Sequence, residues 1–181
     1  DEIATNVTKA LSIALTGKSG VGAIGTKDIA AYDAFLRGKQ LIERRESATM
    51  EEGVLLLERA VALDPSFARA WAQLAKAYLS GHEGGFSAVG QRTREEATAL
   101  AGKAARRAVD LAPVSGFAHA ALALYLSMND QDAEALASAN RAVELSPADP
   151  DCLITLAGML RFAGRAHEAI LPTRRALALD P

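Results

Sequence analysis

The chain has 181 residues, half of them hydrophobic, with 20 basic and 22 acidic side chains for a formal net charge of −2. That balance suits a folded chain, excludes wholesale disorder and leaves no basic excess to neutralise nucleic-acid phosphates. Cys152 is the single cysteine, so no disulfide forms within the chain, and no apolar run reaches the ~18 residues of a membrane span.

Residues 1–16 read as one amphipathic helix, because Ile3, Val7, Leu11 and Leu15 recur every four positions. Residues 17–27 are glycine-rich and read as a linker. Within them Gly20-Val21-Gly22-Ala23-Ile24-Gly25 matches the spacing of a dinucleotide-binding fingerprint. That fingerprint needs a βαβ unit and an acidic residue about 20 positions on. Helical pattern follows instead, so the glycines are expected to be linker and no cofactor is expected. Gly17-Lys18-Ser19 lacks the upstream glycine of a phosphate loop, whose place Ser12 takes. The chain opens on Asp1 rather than Met, which reads as a processed or excised fragment.

From residue 28 onward one phrase recurs. Leu-Glu-Arg-Ala-Val-Ala-Leu-Asp-Pro ends at Pro65, and near-copies end at Pro113, Pro147 and Pro181, the last three spaced by 34. A fixed period of this length marks helix pairs that bury their apolar faces only by stacking on one another. The expected units are 28–65, 66–113, 114–147 and 148–181. Each closes on a proline that cannot continue a helix. Ala60, Ala108, Ala142 and Ala176 stand five residues before it, and Gly53, Ala101, Ala135 and Ala169 seven further back. Small side chains there let two helices approach closely. The first helix of a pair carries Trp71, Leu74 and Tyr78 on one face, matched by His119, Leu122 and Leu126, then by Leu153, Leu156 and Leu160. Pro65 and Pro113 are 48 apart, which places a 14-residue insertion around 80–92, with Gly81, Gly84, Gly85 and Gly90. It reads as a tolerated loop, although such insertions also serve in binding. Thr93-x-x-Glu96 then forms a capping box, and Gly164 supplies the turn between the last two helices.

Trp71-x2-Leu74-Ala75-x2-Tyr78, the later alanines and the closing prolines resemble tetratricopeptide (TPR) repeats, with Ala75 in place of the usual glycine. The resemblance implies an all-α, right-handed solenoid of about four TPR-like helix pairs after an N-terminal helix. Ala105, Ala139 and Thr173 stand where the family has an aromatic, implying shallower contacts. Taking Gly38 as the family glycine of the first unit requires about three extra residues in the turn near Arg45–Thr49. The first helices of TPR pairs line a concave groove, which here implies Tyr32, Phe35 and Lys39; Arg69, Ala72, Lys76 and Leu79; Ala120, Leu124 and Met128; and Ile154, Arg161 and Phe162. Apolar patches with basic rims suit a peptide with hydrophobic anchors and some acidic residues. No Asn occupies these positions, which disfavours the subclass that clamps a C-terminal carboxylate.

The implied function is a non-catalytic protein–protein interaction scaffold in the cytoplasm. It would bind a protein or peptide, with neither nucleic acid nor membrane as partner. A second resemblance rests on Asp-Glu-Ile-Ala at 1–4 and Ala-Tyr-Asp-Ala-Phe-Leu-Arg-Gly at 31–38. Both are similar to the start of TPR regions in bacterial class III adenylate cyclases, Ser/Thr kinases and winged-helix regulators. It implies the alternative that this chain is the regulatory or sensory part of a signalling enzyme whose catalytic domain precedes Asp1.

Little else points to chemistry. His82, His119 and His167 are scattered, and no Cys/His spacing suits zinc. His119 takes the family's Trp position and is expected to be a half-buried packing residue, while His167 falls on a solvated face. Cys152 opens a helix, where a thiolate can be favoured, yet it reads as an inert small residue. The array reaches Pro181 without a polar capping helix, leaving an apolar face for further chain or for self-association.

Overall fold

A computed structural model of the chain describes residues 25–44, 46–80 and 92–180. The amphipathic helix at 1–16, the glycine run up to Ile24 and the insertion from Gly81 through Gln91, with His82, lie outside the described residues. The described residues form eight helices and no strand: α1 Ile29–Glu43, α2 Ser47–Leu63, α3 Ala68–Ser80, α4 Arg94–Leu111, α5 Gly116–Ser127, α6 Asp132–Leu145, α7 Pro150–Phe162 and α8 Ile170–Leu179.

Local chemistry sets where these helices begin and end. Asp28 Oδ1 accepts from Ala31 N at 2.9 Å, Ser115 Oγ from Ala118 N at 3.3 Å and Asp149 Oδ1 from Cys152 N at 3.2 Å. Each satisfies a first-turn amide that has no partner inside the helix. The capping box forms as expected: Thr93 N donates to Glu96 at 2.8 Å, and Glu96 N donates to the Thr93 hydroxyl at 3.2 Å. At the other end, Gly164 has φ +72° and Asp130, one period earlier, has φ +57°. The following amides reach back five residues, Gln131 N to Leu126 O at 3.1 Å and Arg165 N to Leu160 O at 2.8 Å. This is the left-handed stop that closes a helix and satisfies its last carbonyls.

Consecutive helices pair as α1/α2, α3/α4, α5/α6 and α7/α8. The first helices α3, α5 and α7 also contact one another in succession. They therefore form the inner layer of an all-α solenoid and the second helices the outer layer. The eight small residues seen in sequence all lie in the core: Ala60, Ala101, Ala108, Ala135 and Ala142 are wholly buried, with Gly53, Ala169 and Ala176 close behind. Gly38 earns its place by proximity, because a Cβ there would lie 2.9 Å from the Gly53 carbonyl oxygen.

Two expectations change. The turn expected near Arg45–Thr49 is shortened, because α2 already begins at Ser47; the additional residues are helical, α1 and α2 having 15 and 17 residues against 12 and 14 in α5 and α6. Extending a helix keeps every amide paired, which a longer loop does not. Residues 25–27, read as the end of a linker, are seated on the first unit. Thr26 is buried and its hydroxyl donates to Asp64 Oδ2 at 2.5 Å.

The turn prolines share a further feature. Trp71 Nε1 donates to the Pro65 carbonyl at 3.0 Å, and His119 Nε2 lies 3.0 Å from the Pro113 carbonyl. A carbonyl only accepts, so His119 carries its hydrogen on Nε2 and is the half-buried packing residue expected. Leu153 cannot donate; Arg175 from α8 reaches the Pro147 carbonyl instead, at 2.8 Å.

Candidate protein-interaction groove

The inner helices enclose a concavity of about 650 Å³. Its wall takes Lys76 and Leu79 from α3, Leu124 and Met128 from α5 and its cap, and Ile154, Arg161 and Phe162 from α7. Seven of the thirteen groove residues named from sequence thus converge. Three apolar members keep substantial surface: Met128 is 36%, Ile154 50% and Phe162 71% exposed. Gly158 forms part of the floor, and a Cβ built there meets nothing within 4 Å.

The other six lie elsewhere. Phe35 is 2% exposed, with its ring centroid 5.1 Å from that of Phe67. It is core, because the first unit has larger inward side chains than the alanines that follow. Tyr32 is half-buried on the same cluster, its centroid 6.2 Å from Phe35 and 6.5 Å from Phe67. Ala72 and Ala120 are buried between helices. Lys39 and Arg69 stay on the inner layer but off this wall, toward the N-terminal units.

Two residues that sequence reading passed over organise the charges. One insertion-lengthened period after Arg69 comes Phe117, and 34 residues later Asp151, so the same register that gave Tyr32 and Arg69 would have found both. Lys76 Nζ is 2.8 Å from Asp151 Oδ2 and 4.7 Å from the Phe117 ring centroid. The ion pair joins α3 to α7 across α5. Arg69 lies 6.0 Å from the Phe35 centroid and 5.8 Å from that of Phe117, within cation–π range. Lys39 pairs with Glu43 at 3.3 Å. Burial alone would raise the Asp151 carboxyl; Lys76 beside it, with Lys39 and Arg69 farther off, holds it below the ordinary carboxylate range. The expected basic rim is thus largely engaged with groups of this chain.

Cys152 is wholly buried, and burial, followed by the Asp149 and Asp151 carboxylates, pushes its thiol up to about 12. The helix start does not favour its thiolate, and the inert reading holds. His167 is exposed. Among the described residues no three His, Cys, Asp or Glu converge to hold a metal, and no helix is long and apolar enough to cross a membrane. On α8, Ile170, Leu171 and Leu177 are 51%, 66% and 58% exposed. Ile170 and Leu177 repeat the places of Leu136 and Val143 on α6, which pack with Met159 and Cys152 of α7.

No protein-family model matches this chain, and no curated protein is similar to it in sequence. Solved structures of MamA share its fold. The structure designated MamA MSR-1 C2 is 21% identical over 96% of this chain and 93% of its own, with a TM-score of 0.50. A crystal structure of MamA is 18% identical over 83% of this chain and 78% of its own, with a TM-score of 0.53. The MamA RS-1 ArsTM double mutant is 16% identical over 83% and 75%, again at 0.53. At these identities the likeness shows the fold, a TPR-like all-helical solenoid. It lends nothing to the resemblance with cyclase and kinase regulators. Ala31, Ala34, Phe35 and Gly38 within that string are buried residues of α1, used in helix contacts.

Proposed function

We propose that the chain is a non-catalytic protein-interaction scaffold that receives a peptide or a partner's helix in the concave face. The observation that carries this is the wall of the concavity. Met128, Ile154 and Phe162 are exposed apolar side chains from α7 and the cap of α5, gathered around space open enough to take another chain's anchors. Apolar anchor positions kept at a concave surface, with polar groups around them, are the usual make-up of a groove for helical or extended segments. The shared solenoid fold is compatible with this and does not identify the partner. The open face of α8 supports a second contact, with a further helix or another copy. Neither surface requires a cofactor.

Gly158 allows a clean test, since a side chain there would meet open space and fill the concavity from its floor. Proteins retained from extract by immobilised wild-type chain are compared with those retained by Gly158→Phe and by Leu55→Asp. Leu55 is an exposed residue of outer helix α2. The expected result is a partner lost with Gly158→Phe and kept with Leu55→Asp. The reverse pattern would move the site to the outer layer. Nothing retained above bare matrix would count against a scaffold.

A further inference from the structure

We infer that the segment received by the concavity carries lysine or arginine beside its apolar anchors, not aspartate or glutamate; this rests on the groove reading above. A basic rim in the sequence suggested the opposite charge, so what each groove charge already touches decides the matter. Lys76 is held by Asp151 at 2.8 Å and by the Phe117 ring at 4.7 Å. Arg69 lies within reach of two rings, and Lys39 is bound to Glu43 at 3.3 Å. At Lys76 or Lys39 an incoming carboxylate would compete with an ion pair already formed. Of the four expected cations Arg69 and Arg161 make no ion pair among the described residues, and of these two Arg161 alone lines the concavity.

The acidic side is different. Asp130, Asp132 and Asp151 line the concavity against Lys76 and Arg161. With Asp151 matched by Lys76, two aspartates and one arginine remain. Asp130 and Asp132 are exposed, and among the described residues neither makes an ion pair. The positive end of α6 could have drawn an anionic partner to this rim. It is already faced by Asp132 and Glu134 in its own first turn. Carboxylates beside an apolar hollow repel an acidic segment and steer a basic one, acting mainly on encounter and specificity. Asp130 follows directly from the fold: the helix stop that in the next unit uses Gly164 here uses an aspartate, with φ +57°. That places its carboxylate at the groove rim.

Random peptides displayed on phage are selected on the full 181-residue chain, and the strongest recovered peptide is then titrated as a synthetic probe at low and physiological salt. Recovered sequences are expected to combine aromatic or aliphatic anchors with Lys or Arg. Asp130→Asn with Asp132→Asn should weaken the probe by about tenfold at low salt and flatten its salt dependence. Both positions are exposed, and unchanged helical ellipticity checks that the double variant folds. Gly158→Phe should abolish binding. Acidic or uncharged peptides whose binding is lost in Gly158→Phe would overturn the charge inference and leave the groove standing. So would a cationic probe indifferent to the double variant. Peptides that still bind Gly158→Phe, or no enrichment over a blank surface, would overturn the groove reading and this inference with it.

Discussion

Gly38→Ala and Gly158→Ala add the same methyl group to two inner helices and should move stability in opposite directions. Neither glycine has a positive φ, so alanine fits the backbone at both. On α7 a Cβ at Gly158 meets nothing within 4 Å. The change then gains the helix preference of alanine over glycine, about 0.5–1 kcal/mol. On α1 the same gain is opposed. The added carbon would sit 2.9 Å from the Gly53 carbonyl oxygen, 3.0 Å from Leu57 Cγ and 3.2 Å from Leu56 Cβ. The oxygen belongs to the backbone of α2 and cannot turn aside, so the two helices must part. Overpacking of this kind costs about 1–3 kcal/mol, and after the propensity gain the net loss should be about 1–2 kcal/mol. Urea titrations followed by far-ultraviolet ellipticity would read both as shifts in midpoint at unchanged slope. A Gly38→Ala midpoint at or above wild type would refute the close approach of α1 and α2. A lowered midpoint for Gly158→Ala would mean that the space above it is filled, and would undermine Gly158→Phe as a groove block.

Two further expectations follow from buried or paired groups. The Asp151 carboxyl is held low by Lys76, so its contribution to stability is present above the unfolded value of about 3.9 and is lost as pH falls through the lower folded value. Asp151→Asn should flatten that acid limb. At neutral pH, with the side chain 53% exposed, the cost should stay under about 1 kcal/mol. Identical pH dependence of the urea midpoint in both proteins would show that the ion pair contributes nothing. The Cys152 thiol, pushed up to about 12 by burial and the neighbouring carboxylates, should resist a thiol reagent at mildly alkaline pH and react fully in denaturant. Labelling of the folded chain at the rate of a free thiol would contradict its burial.

The solenoid was legible because a repeat's needs are local and recur. Ala142 and Ala176 face the same neighbour geometry, so period alone identified them, and Gly164 and Thr93 announced their helix ends through backbone requirements that hold anywhere. Helix caps and small crossing residues act within one pair, and a pair is what the sequence repeats. Carrying the inward register through every unit would also have reached Phe117 and Asp151, since both stand at the place of Arg69. What could not be read was how unlike residues at equivalent places meet. Lys76 and Asp151 are 75 residues apart and pair only because α3, α5 and α7 curve toward one another. Curvature depends on the sizes of many side chains at once, so four expected groove cations became one without an ion-pair or aromatic partner. Phe35 passed from groove to core for the same reason, since its depth depends on Phe67 and on how tightly α1 approaches α2. Sequence by itself determined the helices, their pairing and which faces turn inward, through short-range periodic constraints. The tertiary structure alone decided which inward side chains stay open to a partner and what charge they show it, because burial and ion pairing depend on distances between units that no single repeat encodes.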